Sequence, residues 1–156
     1  MDIGLTDVAI TLESPRRPEV ARLIGELDTY LTALYPGESN HLLDVETLAA
    51  ADIRFFVARR GAETVGCGAL RIDAAGYGEV KRMYVLPAAR GLKLGANILR
   101  SIEDEARRLG LRCLRLETGI HQPEAIGLYR AAGFVDRPPF GAYRPDPLSL
   151  FMEKTL

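Results

Sequence analysis

Histidine is scarce in this chain, two among 156 residues, and cysteine is equally rare, with only Cys67 and Cys113. No His, Cys and Asp residues gather at ligand spacing, so a metal centre is not expected. The two cysteines stand alone in strand-like segments and read as small buried hydrophobes rather than as a disulfide. Charge of one sign is missing as well. Twenty basic against twenty-one acidic residues leave a net charge of -1, which provides no general attraction to nucleic acid or to an anionic membrane. The longest apolar run falls far short of the roughly 18 residues that a membrane span needs. Met1-Asp2-Ile3-Gly4 has neither the basic flank nor the apolar core of a secretory signal. A cytoplasmic protein with neither nucleic-acid nor membrane partners is therefore expected. Two nucleotide signatures are also absent, the Walker A pattern and the three-glycine dinucleotide fingerprint.

What is present is an ordinary globular composition, 47% hydrophobic and 26% charged. One domain over residues 1–156 is expected, long enough to bury about two-thirds of its surface without disulfides. Val8 to Leu12 alternates weakly, as a strand does. From Pro18 the apolar residues Val20, Leu23, Ile24, Leu27, Tyr30, Leu31 and Leu34 recur at three and four residues, the stripe of an amphipathic helix that Tyr35-Pro36-Gly37 ends. After a polar loop, Glu38 to Leu43, Asp44 is placed to cap a short second helix. Ile53 to Arg59 and Thr64 to Ile72 read as a hairpin, and Tyr77 to Val85 as a fourth strand. Leu92 to Leu109 is helical, with Arg100, Glu103, Asp104, Arg107 and Arg108 left for solvent and Gly110 as its C-cap. Cys113 to Glu117, a helix from Glu124 to Ala132, Phe134 to Asp136 and Leu148 to Lys154 complete the chain. Helices between strands, together with hairpins, give an α/β (or α+β) fold with a mixed, mostly antiparallel sheet of about seven strands and helices on both faces.

The segment Val85-Leu86-Pro87-Ala88-Ala89-Arg90-Gly91-Leu92-Lys93-Leu94-Gly95 is the most informative stretch. A strand that stops at a proline, a glycine-containing turn and a helix start leave several backbone N–H groups at the positive end of a helix dipole, a recipe for binding phosphate. Gly91 and Gly95 allow close approach, and Arg90 and Lys93 add charge. By itself this also describes many helix starts that hold no ligand.

The turn resembles the pyrophosphate-binding motif of the GNAT superfamily of acetyl-coenzyme A dependent N-acetyltransferases, Arg/Gln-x-x-Gly-x-Gly/Ala after the fourth strand. Arg90 matches its first position and Gly95 its last, while Lys93 stands where the middle glycine is expected. Lys93 either points away or swings over the phosphates. The likeness runs from about Phe55 to Phe134. It includes Leu116-Glu117-Thr118-Gly119 and the run Ala125-Ile126-Gly127-Leu128-Tyr129-Arg130-Ala131-Ala132-Gly133-Phe134, which is similar to the family's second cofactor motif.

The resemblance implies the GNAT acyl-CoA fold, splayed between strands 4 and 5, with acetyl-CoA as co-substrate and no metal. It places Met83, Tyr84 and Val85 against pantetheine and Arg90, Gly91, Leu92, Lys93, Leu94, Gly95 and Ala96 around the pyrophosphate. It gives the Val85 N–H to the oxyanion and Tyr129 to the departing thiolate as acid, the alternative for Tyr129 being simple packing. Glu79 matches a position where many relatives carry the base. In an unbulged strand it shares a face with Lys81 and Met83; the alternative is a strand carboxylate paired with Lys81 or Arg71. Glu117 is the next choice, and water alone a third.

His41, Arg82, Glu117, His121, Tyr143 and Arg144 are the candidate acceptor contacts, with Phe140 and Tyr143 of the Pro-rich arm forming a wall over the thioester. Basic residues there suit a small, carboxylate-bearing amine. The arm, with Glu117-Thr118-Gly119 and Lys81-Arg82-Met83-Tyr84-Val85, looks like one bacterial branch of small-molecule or unassigned substrate. The expected activity is direct acetyl transfer to a primary amine. A protein or peptide acetyltransferase and a coenzyme A binding or sensing module stay open as alternatives, as does a homodimer.

Overall fold

The computed structural model describes residues 8–35, 37 and 44–156. In chain order they form β1 (Val8–Leu12), α1 (Pro18–Leu34), α2 (Val45–Leu48), β2 (Ile53–Arg60), β3 (Glu63–Ile72) and β4 (Gly78–Val85). A 3-10 turn (Pro87–Ala89) leads to α3 (Leu94–Arg108), β5 (Cys113–Gly119), α4 (Pro123–Ala131), β6 (Val135–Asp136) and β7 (Ser149–Thr155). The first helix starts with Pro18 at its first position, where the missing N–H costs nothing. Asp44 caps α2, its Oδ1 accepting from the Thr47 N–H at 2.8 Å.

Seven strands make one sheet in the order β1-β2-β3-β4-β5-β7-β6. The β4–β5 pair is parallel and the other pairs are antiparallel. One apolar cluster unites the sheet with α3 and α4 through Val80, Ile98, Ile102, Leu114, Leu116 and Tyr129. A second joins α1 and α2 to the opposite face through Val20, Ile24, Leu48, Phe55, Val57 and Cys67. Helices thus cover both faces.

Two features of β4 create the site. First, β4 and β5 are paired only from Gly78 to Val80 against Leu114 to Leu116, and they diverge beyond. Second, β4 bulges. Cys67 lies opposite Tyr84 and Ala69 opposite Lys81, so Gly68 alone faces both Arg82 and Met83, and Arg82 takes a left-handed φ of 58°. The extra residue swaps the faces that follow. Glu79 therefore does not share a face with Met83. Met83 and Val85 join the α3 cluster and Tyr84 joins the α1 cluster. Gly68 makes room for this, since a Cβ there would stand 2.6 Å from the Met83 sulfur.

The long helix starts two residues later than its apolar pattern predicts, because Lys93 sits at the N-cap with φ 60° and ψ 25°. Glu103 is not left to solvent. It is buried beside Lys154, whose Nζ donates to its carboxylate at 2.8 Å. The Pro-rich arm folds back on β5 and β7. Phe140 is 4% exposed, and its ring meets those of Tyr77, Tyr143 and Phe151 at 5.7, 5.1 and 6.0 Å, edge-on. Phe140 anchors the arm through these rings.

Candidate active site

Where β4 leaves β5, a cavity of about 450 Å³ opens. Of the residues that the sequence nominates for cofactor, Met83, Tyr84, Val85, Arg90, Gly91, Lys93, Leu94, Gly95, Ala96 and Tyr129 line it. Leu92 does not; it is half-buried against the α3 cluster. Leu27 and Tyr30 from α1, Gln122 at the cap of α4, and Glu124, Ala125 and Leu128 within it complete the lining. Sequence reading assigned the α1 stripe to the core alone, although a phenol at Tyr30 within it is a signal of a polar boundary.

Arg90, Lys93 and the start of α3 bring positive charge to the mouth, against the single carboxylate of Glu124 in the lining. The first turn of α3 has no side-chain cap, so the N–H groups of Leu94, Gly95 and Ala96 stay open toward the cavity. The Arg90 Nε donates to the Val85 carbonyl at 3.3 Å, fixing the guanidinium beside the turn. Gly95 brings α3 against α4, since a Cβ at that position would lie 3.2 Å from Leu128. Gly91 has φ 87°, a conformation that suits glycine.

Val85 has an N–H free of β3. The Leu86 N–H donates to Val65 at 2.9 Å, which makes Val85 and Gly66 the next, non-bonded pair of the antiparallel ladder. The Val85 N–H therefore points into the gap left by β5. Tyr129 is buried, and burial, aided by the nearby Glu117 charge, pushes its phenol above the ordinary range. It is a protonated hydroxyl at neutral pH, seated in the cavity wall, with its ring edge-on to Phe134.

On the α1 side of the splay lies a dense polar group. Glu79, 2% exposed, accepts from Arg71 Nη2 at 3.2 Å, from Lys81 Nζ at 3.2 Å and from the Tyr143 hydroxyl at 2.5 Å. It pairs with both Lys81 and Arg71 and is not among the residues lining the cavity. Burial, then the Glu79 charge, raises the Tyr143 phenol, and Lys81 donates to it at 2.9 Å. Glu117 is the first β5 residue past the last rung with β4. It is half-buried and accepts from Ser149 Oγ at 2.8 Å. Arg82 points to Asp28 of α1, with which it forms an ion pair.

His121 is exposed, stacks on Tyr35 with ring centroids 5.7 Å apart, and gives its backbone N–H to the Tyr35 hydroxyl at 3.1 Å. That hydroxyl donates to Gln122 Oε1 at 3.2 Å. Tyr35 thus ties the end of α1 to the loop that delivers Tyr129, a role sequence reasoning missed. Arg144 lies exposed on the arm, apart from the polar group around Glu79. His41 falls outside the described residues. Among the described residues no three His, Cys, Asp or Glu side chains gather in a way that would hold a metal ion.

A mixed sheet opened between two parallel strands, with an uncapped helix start and a basic turn at its mouth, defines the acyl-coenzyme A N-acyltransferase class of fold. Comparison with known proteins agrees. The acetyltransferase (GNAT) family model matches residues 21–134. The chain is 61% identical over 153 residues to an IAA acetyltransferase of Azospirillum brasilense, covering 97% of this chain and 100% of that protein. It is 32% identical to an aminoalkylphosphonate N-acetyltransferase of Salmonella typhimurium, over 72% of this chain and 71% of that one. A Klebsiella pneumoniae structure described as an acyl-CoA N-acyltransferase superposes with a TM-score of 0.81 at 39% identity, covering 96% of this chain and 97% of the other. The chain belongs to the GNAT family and is an acetyl-CoA dependent N-acetyltransferase.

Proposed function

We propose that the enzyme acetylates the primary amine of a small acceptor that carries an anionic group, by direct transfer within a ternary complex. The observation that carries this reading is the docked arm. Tyr143 hydrogen-bonds to buried Glu79 and Phe140 is sealed among three rings, so the arm packs down onto the sheet beside the splay, which favours a small acceptor over a polypeptide lysine. Half-buried Lys81 and buried Arg82 on that side suit an anion. The Salmonella relative acts, by its name, on aminoalkylphosphonates, amines of that chemistry.

Acetyl-CoA, when bound, supplies an activated thioester carbonyl. The residues present fit it: the α3 N–H groups with Arg90 and Lys93 take the pyrophosphate, and the backbone of Met83 to Val85 faces pantetheine. The Val85 N–H meets the negative charge that develops on the carbonyl oxygen as the amine nitrogen bonds to carbon. As the carbon–sulfur bond breaks, Tyr129 gives its proton to the sulfur. The amine's surplus proton leaves to a carboxylate, directly or through water. The bulge at Arg82 and the three donors on Glu79 favour Glu117 for that step, with Glu79 positioning Tyr143 and the arm.

Tyr129→Phe tests the acid role. The expected result is a fall in kcat of roughly 10²-fold or more, with acetyl-CoA affinity and melting temperature retained; an unchanged kcat removes Tyr129 from the chemistry. Release of free thiol is a clean readout, because burial pushes Cys67 up to about 12 and also raises Cys113. A lysine-bearing peptide turning over as well as small anionic amines would overturn the acceptor class.

A further inference from the structure

Tyr35, the C-cap of α1, is buried, and its hydroxyl is engaged on both sides. It accepts from the His121 backbone N–H at 3.1 Å. Its one proton therefore goes to Gln122 Oε1, 3.2 Å away. Burial raises the phenol, so that proton stays in place at neutral pH. The same Oε1 accepts from the Gly119 backbone N–H at 3.2 Å. Gly119 leaves room for this junction, since a Cβ there would collide with the Tyr35 hydroxyl.

A backbone N–H and a hydroxyl proton can both be met only by an acceptor, so the amide atom between them is oxygen. Both lone pairs of Oε1 are then used, and the amino group is turned away from Tyr35 and Gly119. Among the described residues that Nε2 donates to none. Gln122 lines the cavity at the cap of α4, on a wall that runs through Leu128 to the start of α3. Of its neighbours in that wall, Ala125 and Leu128 are apolar and the Glu124 carboxylate can only accept. The Gln122 amino group is thus a donor suited to a carbonyl oxygen, and amide carbonyls are what the pantetheine arm offers.

We infer that Tyr35 is a positioning residue for the cofactor: its hydroxyl fixes the Gln122 carboxamide with the amino group toward the cavity, where it donates to a carbonyl oxygen of the pantetheine arm. Tyr35 itself is not among the residues lining the cavity, so acetyl-CoA affinity is set in part from the end of α1, by a side chain that acts through another. Without the hydroxyl, Gly119 alone holds the carboxamide, which then spends part of its time with oxygen facing the carbonyl. The binding-competent fraction falls, and the apparent affinity falls with it. His121 serves this junction through its backbone N–H, while its ring stacks on the outside of the Tyr35 ring.

A double-mutant cycle of Tyr35→Phe and Gln122→Met tests this, with the Kd of acetyl-CoA read by calorimetric titration so that no acceptor is needed. Tyr35→Phe keeps the stacked ring and removes the hydroxyl. Each single variant is expected to weaken acetyl-CoA binding by roughly three- to tenfold, the size of one neutral hydrogen bond. The double variant should bind no more weakly than Gln122→Met alone, because both changes remove the same interaction. An unchanged Kd in either single variant overturns the proposal. Full additivity overturns it as well, since Tyr35 would then act on the cofactor by a route other than Gln122. A merely structural Tyr35 would lower the melting temperature in both backgrounds and leave Kd alone, which thermal melts of all three variants reveal. Should Tyr35→Phe fail to fold, an unchanged Kd in Gln122→Met still sinks the idea.

Discussion

Lys93 holds a backbone conformation that glycine adopts freely and lysine does not, with φ 60° at the head of α3. A left-handed residue with a Cβ costs about 1–2 kcal/mol, and glycine gives back roughly 0.5–1 kcal/mol through its freer unfolded chain. Lys93→Gly is therefore expected to raise the melting temperature by roughly 2–4 °C for a net gain near 1 kcal/mol. The same variant should weaken acetyl-CoA binding and flatten its dependence on salt if the ammonium serves the phosphates. Calorimetric titration at two salt concentrations checks the second effect, and an unchanged salt slope assigns Lys93 to solvent. The sequence located this residue but could not reveal its strain. A departure from the expected glycine is visible as a letter, whereas φ is visible only once the turn is folded. Arg82 was legible as a basic residue on β4 and its partner was not, because Asp28 is 54 positions away and reaches it only by helix packing. Tyr35 was hidden for the same reason, its hydroxyl meeting His121 across 86 positions.

At the level of elements, periodicity located α1 from Pro18 to Leu34 and the β2–β3 hairpin close to their observed bounds. It failed where one residue breaks the repeat. The bulge in β4 carries no signature of glycine or proline, so an alternating pattern continued through it sends Met83 to the wrong face. The arm misled for a different reason. Four prolines mark a stiff excursion, yet only packing shows that Phe140 turns inward to Tyr77 and Phe151. Phe140→Ala should cost about 3 kcal/mol, as removal of a buried phenylalanine does. It should also raise acceptor KM while leaving acetyl-CoA KM alone. Urea denaturation followed by tyrosine fluorescence, with steady-state kinetics, measures both, and unaltered acceptor kinetics would detach the arm from the acceptor site.

The whole molecule should be sensitive to acid. Glu13 is held below the usual carboxylate range chiefly by its hydrogen bonds from Arg59, Glu105 by those from Arg108 and Glu153 by that from Arg115. Each binds a proton less readily folded than unfolded, so its stabilisation is complete above the unfolded value of about 4.3 and fades as pH falls from there through the lower folded value. The urea midpoint is expected to hold from pH 7 to about 5 and to drop steadily below about 4. Arg59→Met should make that acid drop shallower by removing the Glu13 contribution, and an equally steep drop would show that other groups govern it. The sheet itself is two plates, four strands and three, joined between β4 and β5 by the rungs at Gly78, Glu79 and Val80. Because Val80, Leu114 and Leu116 share one apolar cluster, the plates are riveted at one end and free at the other. The width of the opening is thus set mechanically by a handful of core side chains, and a single methylene added or lost at that rivet retunes the jaw.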